Sequence, residues 1–379
     1  MLQLISNMTN GSDKMKERKS NIELLRIITM IMIVFHHFAV HGKFNFPIDS
    51  ISINRIWILF IWIFGKVGVN IFVLISGYLL INSKKLKITK VIKILSQLIF
   101  YSVSIYIVLV LFKLVPFSKK HFLYCFFPIT FNTWWFASSY IILYLLSPFI
   151  NKFANCIDKK TYKNLLIFMF CIWCVIPTLI NKHLQSNNLI WFVFIYLIGG
   201  YIRLYKDHIK IKHPYSKTLI LIALTLTSSI LISLFQSKLP SMINSPTYFY
   251  SMNKLPILLT SLVIFMAFKN MNIKTNKFIN KVAITTFGIY LIHDNPYIRK
   301  FLWQMLFKNS KYIDSSILIP YSIMACLLVF ISCSIIEYLR ITLIEKKYMN
   351  IVYKYENKIN NYFNNMRKKI SKIISKIFN

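Results

Sequence analysis

The sequence predicts an all-α, polytopic integral membrane protein of about ten transmembrane helices, with an amphipathic helix at its C-terminal end. Three observations carry that expectation. Of 379 residues, 56% are hydrophobic and only 15% charged, against roughly 45–50% and about 25% in soluble domains. Apolar runs of about 20 residues recur along the chain, the length that a hydrocarbon core of about 30 Å asks of a spanning helix. Lysines crowd into every second connection between those runs, a bias that orients a membrane protein.

In chain order the candidate spans are residues 22–41, 55–81, 92–115, 134–153, 164–181, 188–204, 217–237, 253–269, 278–296 and 316–341. The first follows a polar stretch, is long enough to span, and precedes no small-x-small cleavage site, so it reads as a helix and not as a removed signal. Asn280, Lys281 and Asp294 make the ends of the ninth ragged. No internal repeat and no Gly/Ser linker divides the chain. Three regions result: a basic tail at 1–21, a membrane domain at 22–341 and a basic amphipathic tail at 342–379.

The N-terminal tail carries Lys14, Lys16, Arg18 and Lys19, and the second connection Lys84, Lys85, Lys87 and Lys90. The fourth has Lys159, Lys160 and Lys163, the sixth Lys206, Lys210 and Lys212, and the eighth Lys274, Lys277 and Lys281. The odd connections carry fewer, except the ninth with Arg299, Lys300, Lys308 and Lys311. Both termini are therefore expected in the cytoplasm. The same distribution accounts for the net charge of +35 without nucleic acid, since the excess faces anionic lipid. Beyond Arg340, Tyr348, Ile351, Val352, Tyr355, Ile359, Tyr362, Phe363, Met366, Ile370, Ile373, Ile374 and Ile377 recur at helical spacing among Lys and Arg. That pattern suits a helix lying on the inner leaflet. The six cysteines, including the Cys171/Cys174 pair, sit mostly in apolar runs and read as small hydrophobes, with no metal implied.

Ionisable residues inside spans are costly and mark function. In the first span Arg26 and His37 are eleven positions apart, which leaves them within about 20° of one helix face and about 16 Å apart along it. Glu23 lies one turn before Arg26, at a spacing that lets a carboxylate hold a guanidinium. His41 follows one turn after His37, while His36 points away. A stripe of Glu23, Arg26, His37 and His41 thus runs from the inner end outward. Taken singly, Glu23–Arg26 is equally an interfacial ion pair and His37 equally a packing histidine; together on one face they favour a polar path.

His293 closes the ninth span near its outer end, beside Asp294, whose adjacent position makes it a poor partner for that imidazole. Gly68, Ser76 and Gly77 in the second span suit close helix packing. The lysines after it suit either the inside bias or docking of a phosphate-bearing donor. Trp134 and Trp135, opening the fourth span, are an aromatic belt or a platform for a sugar ring.

These stretches together resemble the acyltransferase 3 family of multi-pass membrane acyltransferases. Arg26 and His37 match its arginine, ten residues, histidine signature. Gly68-Val-Asn-Ile-Phe-Val-Leu-Ile-Ser-Gly-Tyr-Leu79 is similar to its Gly-Val-Asp-Ile-Phe-Phe-Val-Leu-Ser-Gly-Phe stretch. Trp135-Phe-Ala-Ser-Ser-Tyr-Ile-Ile-Leu-Tyr-Leu-Leu-Ser-Pro-Phe149 and Gly288-Ile-Tyr-Leu-Ile-His293 look like its later landmarks. The resemblance implies an enzyme that takes an acyl group, usually acetyl from cytoplasmic acetyl-CoA, and delivers it to a hydroxyl of a bacterial surface carbohydrate. It makes His37 the catalytic histidine, with Arg26 its partner and Glu23 holding Arg26. It ties donor handling to the basic loop of Lys90 and Lys93; the candidate donor contacts are then Arg26, Ser76, Lys90 and Lys93, and the candidate acceptor contacts Trp134, Trp135, Tyr140 and His293.

Two positions depart from the family pattern. Asn70 replaces an aspartate, and Lys90-x-x-Lys93 replaces a pair of arginines. The esterase-like domain that some members append is not expected here, so a second transfer step would fall to another protein. The lysine-, asparagine- and isoleucine-rich usage fits an AT-rich bacterial genome and hence a bacterial plasma membrane. Rival readings are a flippase of lipid-linked sugars and a donor-side subunit that relays acetyl to a partner enzyme.

Overall fold

Helices account for all the regular structure in the computed structural model, which describes residues 19–181, 184, 186–363 and 365. Helix α1 covers Ser20–His41, α2 Ile53–Leu80 and α3 Ile88–Leu111. Helix α4 covers Trp135–Cys156, α5 Lys159–Ile180 and α6 Asn188–Tyr205. Helix α7 covers Pro214–Leu234, α8 Leu255–Asn270, α9 Lys277–Ala283, α10 Thr286–His293 and α11 Leu318–Lys354. Polar residues start several of them: Ser52 Oγ accepts from Arg55 N at 3.1 Å, Asp158 from Lys160 N at 2.7 Å, and Asn187 from Ile190 N at 3.0 Å. Each satisfies a backbone donor that the first turn leaves free. In α5 a π-turn at Cys171–Val175 precedes Pro177, whose ring and missing N–H disturb the preceding turn.

Among the described residues, seven helices are long and apolar enough to cross a bilayer: α1, α2, α3, α5, α6, α7 and α11. Three candidate spans differ from the expectation of ten. Helix α4 has 22 residues but carries Ser138, Ser139, Ser147, Asn151, Lys152 and Asn155. Helix α8 has 16 residues. The stretch at 278–296 is not one helix. It breaks where Thr285 Oγ1 donates to its own chain at Val282 O (2.8 Å), and again at Asn295, which precedes Pro296 and caps the short helix Pro296–Lys300 through Tyr297 N (3.0 Å). A residue before proline avoids the helical region, so the second break is built into the sequence.

The tail also differs from the reading of a separate amphipathic element. Helix α11 continues past Arg340 through a π-turn at Ile341–Glu345 to Lys354, and a further helical segment spans 356–363. Ile351, Tyr355, Tyr362 and Phe363 are exposed along it. Met366, Ile370, Ile373, Ile374 and Ile377, like Lys14, Lys16, Arg18 and Lys182, lie outside the described residues.

Hydrogen bonds that involve side chains gather the helix ends at two poles. At one, Asn21 Nδ2 reaches Phe268 O (2.9 Å), Asn270 Nδ2 reaches Ile209 O (3.1 Å), Tyr78 Oη reaches Asp207 (2.6 Å) and Asn155 Nδ2 reaches Ile81 O (3.0 Å). This pole collects the lysine-rich connections. At the other, Asn54 Nδ2 reaches Ile313 O (2.8 Å), Ser237 N reaches Asp49 (2.9 Å) and Gln304 Nε2 reaches His41 O (3.0 Å). The charge alternation read from the sequence is therefore an alternation in space.

Between the poles α2 and α6 pack backbone to backbone. A Cβ at Gly77 would lie 2.0 Å from Tyr196 O, and one at Gly199 would lie 2.4 Å from Leu74 O. Small residues are what permit helices so close an approach.

Candidate active site

A cavity lies between α1, α2, α4 and α10. Arg26 and His37 both line it, with Ser76, Tyr140, Trp135 and Lys66. One helix thus supplies both ionisable groups to one space, as their shared face requires, and α1 buries Glu23 and Arg26 against its neighbours.

At the far end of this stripe the histidines are coupled. His37 Nδ1 lies 2.8 Å from His293 Nε2, and His293 Nδ1 lies 2.5 Å from Ile289 O. The proton positions follow. A carbonyl only accepts, so His293 Nδ1 carries the hydrogen and donates. The neutral His293 ring is then an acceptor at Nε2, and His37 Nδ1–H must donate to it. His37 Nε2 is left with a free lone pair. That atom stands 3.8 Å from Asp294 Oδ1, which also meets His41 Nε2 at 3.3 Å and Arg299 Nε at 3.7 Å. A proton arriving on His37 Nε2 would find a buried carboxylate beside it.

The sequence set Asp294 aside because it adjoins His293 and cannot face it. That geometry holds, but the carboxylate instead serves α1. His36 Nδ1–H donates to Trp62 O (2.7 Å), on another side of α1 from the His37–His293 contact, although its ring also borders the cavity. Ligand atoms of His37, His41 and Asp294 lie within 4.8 Å of one another. Zinc, at about 2.0–2.2 Å from each ligand, would require them to draw together.

At the other end Arg26 Nη1 meets both Glu23 oxygens, at 3.1 and 3.2 Å. Glu23 uses a single nitrogen of the fork, and Arg26 Nε is buried with no hydrogen-bond partner among the described residues. Donors therefore remain for a ligand in the cavity. Tyr140 stands nearby. Ser76 Oγ donates to Phe72 O (2.9 Å), so its 2.9 Å contact with Tyr140 is a bond that Tyr140 donates.

The structure sorts the remaining candidates. Trp135 lines the cavity, whereas Trp134 is fully buried at the start of α4 and does not. His293 is also fully buried off the cavity wall, so it contacts His37 and not the space itself. Lys90 is buried in the first turn of α3. Lys93 is ion-paired with Glu345, in a network where Arg340 holds Glu337 (2.7 and 2.9 Å) and Glu345 (2.5 Å). Among the cysteines, all free, Cys156 and Cys171 are exposed and the other four are buried.

Both local motifs acquire physical reasons. Asn70 is fully buried, donating to Met252 O (2.8 Å) and accepting from Trp191 Nε1 (2.9 Å). An amide serves both, whereas an ionised aspartate could only accept. Gly288 makes room for Glu337, whose Cδ would lie 2.3 Å from a Cβ there. The cavity residue that sequence reading missed is Lys66, midway along α2. A lysine inside an apolar run was the available signal, and it is the same signal that singled out Arg26.

An all-helical membrane protein with an internal cavity bounded by an arginine and a histidine is the class that this fold and site define. The sequence model of the acyltransferase 3 family, described as an acyltransferase domain, matches residues 19–338, and the chain belongs to that family of acyl-transferring membrane enzymes. No curated protein and no solved structure matches it.

Proposed function

We propose that this protein is an O-acetyltransferase of the bacterial plasma membrane. It takes acetyl from acetyl-CoA at the lysine-rich pole, on the cytoplasmic side with both termini. It delivers the group to a hydroxyl of a cell-surface polysaccharide or of its lipid-linked precursor. The observation that carries this reading is the single cavity reached by Arg26 from one end and by His37 from the other.

In the mechanism His37 Nε2 removes the proton from the acceptor hydroxyl as its oxygen attacks the thioester carbon. An alcohol is a weak nucleophile at neutral pH, and a neutral imidazole is a suitable base. His293 fixes the tautomer that leaves Nε2 free, and Asp294 steadies the imidazolium. Arg26, held by Glu23, binds anionic oxygens of the donor, and Tyr140 and Ser76 extend its polar wall. Trp135 offers an aromatic face to a sugar ring. A pure flippase needs no histidine whose proton is so directed, which favours chemistry over passage.

The test is transfer of labelled acetyl from acetyl-CoA into membrane glycans. Wild-type membranes should incorporate label, and His37→Ala membranes with equal protein should not. Label-independent movement of lipid-linked sugar by the His37→Ala protein would favour the transporter. Failure of the purified protein alone, with activity restored by another membrane fraction, would favour the relay subunit. Comparing O-acetyl signals of purified surface glycans with and without the protein identifies the acceptor.

A further inference from the structure

Lys66 lies thirteen residues after the start of α2 and fourteen before its end, so about 20 Å of helix separates it from either pole. It lines the cavity that Arg26 and His37 share. Its ammonium sits over the Trp135 ring, 4.7 Å from the centroid. Among the described residues it makes no hydrogen bond and no ion pair. The neighbouring Gly65 fixes its height. A Cβ there would stand 2.2 Å from the His36 ring, so α2 abuts α1 at the level of the His36–His37 pair.

The cavity wall contains two cationic side chains, Arg26 and Lys66, and no carboxylate. Glu23 is committed to Arg26, and Asp294 is engaged with His37, His41 and Arg299. A cation held at mid-membrane depth without a direct ion pair is costly, and such residues mark function. Asp294, the carboxylate at the height of His37, stands behind the cavity wall and attracts Lys66 only from a distance, so what the cavity itself lacks at that height is a negative group in contact with the ammonium. Phosphates of a donor anchored at Arg26 sit far from that height, about 16 Å down the helix. The anion that belongs there is the one the reaction creates.

Resting on the acetyl-transfer reading above, we propose that Lys66 is a further catalytic residue, whose ammonium receives the charge developing on the acyl carbonyl oxygen. The acceptor oxygen forms a bond to the thioester carbon, and the carbonyl π pair moves onto its oxygen, beside the ammonium. The hydroxyl proton passes to His37 Nε2. The oxyanion then reforms the double bond, the carbon–sulfur bond breaks, and the leaving thiolate takes the proton back from His37. Trp135 holds the ammonium by a cation–π contact, so no competing hydrogen bond must break when the charge appears.

The experiment measures labelled acetyl transfer in native membranes for wild type, His37→Ala, Lys66→Met, Lys66→Gln and Lys66→Arg, each normalised to folded protein. Removing one oxyanion donor costs about 10²–10³ in kcat. Lys66→Met and Lys66→Gln should show that loss with an unchanged KM for acetyl-CoA, and Lys66→Arg should recover part of it. Met and Gln give two chances of a folded variant, and either one suffices. Wild-type rate in a folded variant overturns the assignment, as does a raised KM at unchanged kcat, which would make Lys66 a ground-state anchor. A wild type that transfers no label, or an active His37→Ala, overturns the acetyl-transfer reading itself. An active wild type with a dead His37→Ala and unimpaired Lys66 variants overturns Lys66 alone.

Discussion

Replacing His293 by alanine isolates the part of the site that touches no ligand. The change removes the acceptor 2.8 Å from His37 Nδ1 while leaving every cavity-lining side chain in place. A buried donor without a partner costs about 1–3 kcal/mol, and that penalty falls on the tautomer with a free Nε2. At about 1.36 kcal/mol per tenfold, the productive population and the rate should fall about 5- to 150-fold. Because His293 is off the cavity wall, KM for acetyl-CoA should not move. His293→Gln can present a carbonyl oxygen to the same N–H and should recover much of the loss. Acetyl transfer in membranes, with folded protein measured alongside, reads all three. A stable His293→Ala at the wild-type rate, or a glutamine variant no better than alanine, would refute the relay.

Arg26→Lys should lower turnover without lowering the amount of folded protein, since an ammonium cannot serve Glu23 and a ligand through a planar fork; full activity would reduce Arg26 to a plain charge. Gly77→Ala should lower the thermal midpoint of the detergent-solubilised protein by the cost of overpacking, about 1–3 kcal/mol. Gly200→Ala, whose Cβ meets the tip of Ile81 at 2.7 Å rather than a backbone carbonyl, should cost less in the same melt. Arg340→Met leaves the buried Glu337 without its cation and should destabilise by about 3–5 kcal/mol; an unchanged melt would mean that Gln97 and Tyr101, which donate to Glu337 at 2.9 and 2.5 Å, hold the carboxylate unaided.

What the sequence made legible was whatever follows from spacing along one helix. Arg26 and His37 share a face because eleven residues make about three turns, and Glu23 reaches Arg26 because it is one turn away. The relay was not legible, since His37 and His293 meet across 256 positions and no local pattern encodes that contact. Asp294 was misjudged for the same reason: its sequence neighbour was considered and its spatial neighbours were not. Lys66 was readable in principle, but it sits in a span whose small residues drew attention to packing. The broken stretch at 278–296 shows the limit of hydropathy, which sees an apolar run but not the competition for backbone at Thr285 and Pro296.

The contact of Gly77 and Gly199 has a consequence for traffic through the molecule. Where two main chains touch, nothing as wide as a pantetheine arm, an acyl tail or a pyranose ring can squeeze between them, and no rotamer change will open a slot. That sector of the bundle is shut for every substrate. The cavity wall at Trp135, Phe136 and Tyr290 is made of side chains instead, and rings, unlike main chains, can swing aside.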